Sequence, residues 1–147
     1  MQRLIEEYEA DKEQFDFLID SKWKAILCLT MLLHDCGKPI TRTTDESGQD
    51  HFIGHNDESA KMAKQILRRL KYDNFTIDTV TTLIQYHDYP LHDEETPLRR
   101  AINKIGVDNI EPLFLVETAD SLAHEEKACR NRLEMIEKAK KTYVTIK

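Results

Sequence analysis

Five ionisable residues stand where the pattern calls for buried carbon. His34 and Asp35 directly follow LTMLL, and His55 immediately precedes a helix start. His87 lies three residues beyond Ile84 on an apolar stripe, and Asp120 shares the stripe of Leu113, Val116 and Ala123. Burying a lone carboxylate costs several kcal/mol unless an ion pair, a proton or a metal compensates it. Imidazole and carboxylate together suit Mn, Fe, Co, Ni or Zn, and a carboxylate can also bridge two ions. A bound divalent ion would polarise a phosphoryl oxygen and lower the pKa of its water, to about 7 for zinc in the best case. That chemistry requires no activated serine or cysteine. The alternatives are structural: a histidine favoured by a helix C-terminus at His34, a buried pair with an arginine at Asp120, a hydrogen bond around the helix start at His55, and a satisfied core histidine at His87.

These residues come from separate segments, so a fold must gather them. Residues 1–17 read as a charged amphipathic helix with Leu4, Ile5, Tyr8 and Phe15 as its apolar points. Ser21 can cap a second helix through Trp23, Ile26, Leu27, Leu29, Met31, Leu32 and Leu33. Being apolar nearly all round, this helix is expected to be central and buried. Gly37 and Pro39 end it, which puts His34 and Asp35 on its last turn. Residues 38–55 read as a loop, with a short β-hairpin around Ser47-Gly48. Helical spacing resumes near Asn56, with Ala60, Ala63, Ile66, Leu67 and Leu70 on one face. Thr76 can cap the next helix, which carries Ile77, Val80, Leu83 and Ile84. A short helix near Leu98–Ile105 stops at Gly106. The last helix opens at Asp108-x-x-Glu111, a capping-box-like start with Pro112 in its first turn. Beyond about Glu125 it turns charged and is expected to leave the core.

The bulk composition agrees with an all-α fold. The chain has 147 residues, enough for one domain with its own core, and only four glycines and four prolines to make turns. The net charge of −6 argues against a uniformly basic nucleic-acid surface. Local basic clusters such as Arg68, Arg69 and Lys71, or Arg99 and Arg100, read first as solvated helix faces. Cys28, Cys36 and Cys129 form no C-x-x-C pair, which suits a reducing compartment. The acidic N-terminus MQRLIEEYEA has no signal-peptide core, and no apolar run spans a bilayer; a cytoplasmic location is expected. His51, His92 and His124 read as surface residues, and Cys36 as packing.

The run LLHDCGKP resembles the defining motif of the HD superfamily of metal-dependent phosphohydrolases. The wider stretch from Trp23 to Asp120, with Gly54-His55, Tyr86-His87 and Ala119-Asp120, is similar to the HD domain of bacterial tRNA nucleotidyltransferases, the CCA-adding enzymes. The resemblance implies a compact all-α HD-domain bundle with a short hairpin-like loop after the motif. It makes His34, Asp35 and Asp120 metal ligands, with Asp35 able to bridge two ions. His55 and His87 match histidines that hold a second metal or the substrate phosphate. Lys38 matches a lysine whose charge can stabilise that phosphate, although a cation there also suits the end of the preceding helix.

Two departures qualify this reading. Residues 1–33 hold no histidine, whereas the family has a further ligand histidine upstream of the HD pair. No nucleotidyltransferase head is present, so residues 1–147 are expected to be one HD domain, either stand-alone or a portion of a larger protein. The expected function is hydrolysis of a phosphomonoester or phosphodiester in a nucleotide, a cyclic phosphate or an RNA 3′ end. Asp35, Lys38 and His87 are the catalytic candidates, and the cofactor is a divalent metal (Mn, Ni, Co, Fe, Mg or Zn). Candidate partners are a phosphorylated small molecule, a nucleotide, RNA or tRNA, and a second copy of the chain. The alternative is a non-catalytic module for RNA docking or dimerisation.

Overall fold

The computed structural model describes residues 20–147, and the expected helix over residues 1–17 lies outside them. The described residues form helices and one minimal hairpin, joined by turns and short loops. They divide into two units, residues 21–87 and 88–147, each described here by itself.

The first unit contains α1 (Ser21–Leu33), α2 (Lys38–Thr41), β1 (Thr43–Thr44), β2 (Asp50–His51), α3 (His55–Arg69) and α4 (Asn74–Gln85). Its core joins Ile26 and Leu27 of α1, Ala63 and Leu67 of α3, and Ile77, Val80, Leu83 and Ile84 of α4. The region expected to be a loop after Gly37 contains the extra turn α2, started by Pro39 just inside its N-terminus. The expected hairpin is present, pairing Thr43 with His51 and Thr44 with Asp50 in antiparallel register. Helix α4 is capped by Asp73, whose carboxylate accepts from the Thr76 amide at 3.2 Å and the Thr76 hydroxyl at 2.6 Å. Thr76 is thus the partner of the cap and not the cap itself.

Helix α1 departs from expectation. Only Ile26, Leu27 and Thr30 are buried, and Leu32 is 77% exposed. An all-round apolar helix need not be surrounded; one narrow stripe suffices to seat it on α4. His34 and Asp35 stand in the turn that follows the helix, beyond its last residue Leu33.

The second unit contains α5 (Glu95–Ile105), α6 (Val107–Leu122) and α7 (Glu126–Ile146). Helix α6 is the most deeply buried element, with Ile110, Leu113, Phe114, Leu115 and Val116 all in the core. It starts from Gly106 at φ 99°, a conformation an L side chain rarely takes, and no side chain caps it. The expected box at Asp108 and Glu111 is therefore absent, and Pro112 sits in the second turn. The charged C-terminal stretch does not leave the core. After a break at residues 123–125, α7 returns with Ile136, Ala139 and Tyr143 buried. Phe114 and Tyr143 meet edge to face at 5.8 Å. The buried positions recur every three or four residues, so most of the abundant Lys and Glu face outward; Lys140 is the buried exception, paired with Glu137 at 2.9 Å.

No helix among the described residues is long and apolar enough to cross a membrane.

Candidate metal centre

Four of the singled-out residues converge within the first unit. Three places supply them: the turn after α1 gives His34 and Asp35, the start of α3 gives His55, and the end of α4 gives His87. Asp35 is the hub. Its Oδ1 lies 3.4 Å from His55 Nε2 and 3.6 Å from His87 Nε2. Its Oδ2 lies 3.2 Å from His34 Nε2 and accepts from Lys38 Nζ at 2.8 Å. The His87 ring meets the His34 and His55 rings edge-on, at 5.0 Å and 5.3 Å.

One local device orients all three imidazoles. His34 Nδ1 faces the Met31 carbonyl at 2.7 Å, His55 Nδ1 the Phe52 carbonyl at 3.0 Å, and His87 Nδ1 the Ile84 carbonyl at 2.6 Å. In each case the acceptor is the carbonyl three residues earlier. A carbonyl only accepts, so each Nδ1 donates its proton there, and in the neutral ring Nε2 keeps its lone pair. Backbone carbonyls at the distal nitrogen are the usual support for a metal-ligating histidine.

Three lone-pair nitrogens then face one carboxylate at 3.2–3.6 Å. That arrangement is repulsive unless protons or a cation stand among the atoms. Asp35 Oδ1 is buried and makes no hydrogen bond among the described residues. Burial opposes the charge on Asp35, but the His34 ring when it is protonated and the Lys38 ammonium outweigh it and hold the carboxyl well below the usual carboxylate range. One donor atom each from Asp35, His55 and His87 lies within 4.8 Å of the other two. Ligands at about 2.1 Å from a tetrahedral ion stand about 3.4 Å apart, close to the observed 3.4 and 3.6 Å. The orphaned oxygen, the fixed tautomers and the spacing all fit a divalent ion.

Two residues outside the candidate ligand set hold this arrangement. Gly37 donates its amide to Ser59 Oγ at 2.9 Å, and Ser59 is fully buried on α3. A Cβ on Gly37 would stand 2.6 Å from the Ser59 amide nitrogen and 2.9 Å from the His55 carbonyl. With φ at −85°, Gly37 is needed for this close approach and not for an unusual backbone. It lets the turn bearing His34 and Asp35 lie directly on the start of α3, beside His55. A small residue after a His-Asp pair was the available signal; Ser59 gave none. Cys36 Sγ rests 3.7 Å from the Ser59 carbonyl, and burial pushes its thiol up, which suits packing.

Asp120 belongs to the second unit, on α6. It is buried, and its Oδ2 accepts from Arg132 Nη1 at 2.8 Å. Glu117, one turn earlier, escaped the sequence reading. It is 2% exposed, and its Oε1 has no hydrogen bond among the described residues. Burial pushes its carboxyl up to about 9, against the opposing pull of Arg132 and with the help of Asp88 and Asp120. His51 pairs with Asp45 at 2.8 Å on the hairpin, and His92 and His124 are exposed, as expected for surface residues.

The sequence matches the HD domain family over residues 5–125. The chain belongs to that family. The HD domain is a metal-dependent phosphohydrolase fold, and the His/Asp group around Asp35 is one that could hold its divalent cation. Among curated relatives, this HD domain is 34% identical over 96 residues to the CC-adding tRNA nucleotidyltransferase of Thermus thermophilus, covering 65% of the chain and 22% of that protein. It is also 34% identical over 74 residues to the A-adding tRNA nucleotidyltransferase of Deinococcus radiodurans, covering 50% of the chain and 17% of that protein. The chain therefore aligns with about a fifth of each curated relative. No solved structure matches.

Proposed function

We propose that this HD domain is a metal-dependent phosphohydrolase acting on a phosphate ester of a nucleotide, a cyclic phosphate or an RNA 3′ end. The observation that carries the reading is the buried, hydrogen-bond-free Asp35 Oδ1 facing two imidazole Nε2 atoms whose tautomers are fixed by backbone carbonyls. Asp35, His55 and His87 would hold the ion, with His34 beside Asp35 Oδ2 as a further ligand. Asp120 enters the ligand set on the family resemblance alone. When bound, a divalent ion supplies Lewis acidity to a phosphoryl oxygen and to a water.

The protein's own groups account for the rest. Lys38, half-exposed and 2.8 Å from Asp35, brings a cation to the rim, where a phosphoryl oxygen can share it. Asp35 stays ionised at neutral pH and so keeps its negative charge available to the ion. His87 has Nδ1 committed to Ile84 and Nε2 turned to Asp35, so we assign it to the ion and not to the leaving group.

The test is hydrolysis of a 2′,3′-cyclic nucleotide, a nucleoside monophosphate and an activated phosphodiester with added Mn, Ni, Co, Fe, Zn or Mg. Metal-dependent turnover lost in Asp35→Ala supports the proposal. The alternative reading is a non-catalytic module for RNA docking or dimerisation, and it draws support from the nucleotidyltransferase relatives. Metal binding without turnover on any of these esters would favour it.

A further inference from the structure

The segment Arg68–Phe75, which joins α3 to α4, is exposed at every position. It reads RRLKYDNF, three cations and two aromatic rings with a single acid. Phe75 is 50% exposed, Tyr72 39% and Leu70 63%. The start of α1 packs against the same end of the unit. Lys22 pairs with Asp73 at 3.2 Å and lies 4.8 Å from the centre of the Phe75 ring, while Trp23 meets Phe75 edge-on at 5.9 Å. The segment's one acid is thereby engaged by Lys22. Arg68, Arg69 and Lys71 make no ion pair among the described residues.

Lys71 adds a second, independent observation. Helix α3 ends in a Schellman motif: the Lys71 amide donates to the Arg68 carbonyl at 3.0 Å, and the Tyr72 amide to the Leu67 carbonyl at 3.1 Å. The residue that turns the chain there is normally glycine, because φ is positive. Here it is lysine at φ 60°, the only non-glycine residue with positive φ among the described residues. The turn thus carries a cation where glycine would be more stable, beside the two exposed arginines and the partly exposed Tyr72 and Phe75 rings.

We propose that this end of the first unit binds a single-stranded polynucleotide. Arg68, Arg69 and Lys71 neutralise phosphates, and Tyr72 together with the part of the Phe75 ring that Lys22 leaves exposed can stack on unpaired bases. Interleaved cations and exposed aromatics are the chemistry that such a strand requires, and the residues involved share none with the Asp35 centre.

The experiment is fluorescence anisotropy of a labelled 12-nucleotide oligoadenylate with the full chain, from low to physiological salt. Three phosphate contacts predict that the logarithm of the affinity falls with the logarithm of salt at a slope of about −2. Arg68→Gln with Arg69→Gln should flatten that slope by more than half. Tyr72→Ala and Phe75→Ala should each weaken binding by roughly tenfold, the loss of one stacked base. Lys71→Gly gives the decisive pair of readings: it should raise Tm by relieving the backbone while weakening binding. Lys138→Gln with Lys141→Gln, two exposed cations on α7, should bind as wild type, which ties binding to this surface and not to net charge alone. Absence of salt-sensitive binding, or unchanged affinity in the arginine and aromatic variants, overturns the proposal. So does preference for anionic vesicles (phosphatidylserine in phosphatidylcholine) over the oligonucleotide.

Discussion

Replacing Gly37 by alanine tests how the metal centre is built. The backbone at Gly37 lies at φ −85°, ψ −7°, which alanine accepts without strain, so any effect comes from contact alone. The new Cβ would stand 2.6 Å from the Ser59 amide nitrogen and 2.9 Å from both the His55 carbonyl and Ser59 Oγ. Two of these are backbone atoms, which no rotamer change removes. Reaching ordinary contact near 3.4 Å requires the turn and α3 to part by about 0.8 Å. Overpacking of this kind costs about 1–3 kcal/mol. Breaking the 2.9 Å bond from Gly37 to Ser59 leaves a buried donor unsatisfied, at about 1–3 kcal/mol more. A total of about 2–6 kcal/mol is a large share of a typical domain stability of about 5–15 kcal/mol. The same displacement separates His55 from Asp35, and metal sites tolerate only about 0.2 Å. Urea denaturation with and without metal, together with a metal-competition titration, reads both effects. Gly48→Ala is the control: its Cβ meets nothing, so only the strain of φ +85° appears and metal affinity stays. A Gly37→Ala protein within about 0.5 kcal/mol of wild type, with unchanged metal affinity, would refute the reasoning.

The remaining predictions concern ionisation. Glu117, with its carboxyl raised from 4.5 to about 9, stays protonated in the fold while the unfolded chain ionises. Wild-type stability should therefore fall as pH rises from about 4.5 towards 9. Glu117→Gln, which mimics the neutral form, should remove that slope and add up to about 3 kcal/mol at pH 7, as read by urea midpoints at pH 5 and pH 8; a parallel decline in both proteins would contradict it. Long-range nitrogen–proton NMR on metal-free protein should find the proton of each neutral His34, His55 and His87 ring on Nδ1. Metal addition should then shift Nε2 of all three, and a proton on Nε2 in any of them would contradict the orientation device.

The sequence disclosed the centre better than its surroundings. His34 and Asp35 were legible from their place after an apolar run and from the HD motif, His55 from its place before a helix start and the family resemblance, His87 from the apolar stripe it closes, and the hairpin from its Ser47-Gly48 turn. What holds them was not. The Ser59 hydroxyl gives no periodic signal, and the repeated bond from Nδ1 to the third carbonyl back depends on local backbone geometry. The burial of α7 was missed because its apolar positions are thinly spaced among Lys and Glu, whereas α1, rich in leucine, was over-read as central. Asp120 was recognised as buried, and one structural alternative considered for it, an arginine partner, is present as Arg132. Glu117 was overlooked although it breaks the apolar run of α6 one turn before Asp120.

The most direct test is the metal content of chelator-free protein, measured by elemental analysis and compared with Asp35→Ala. The account predicts a stoichiometric divalent ion in the wild type, recovered on reloading after dialysis, and none in the variant. A wild-type protein that takes up no ion even after loading, or an Asp35→Ala protein that retains it, would contradict the assignment of Asp35 as the hub of a metal centre.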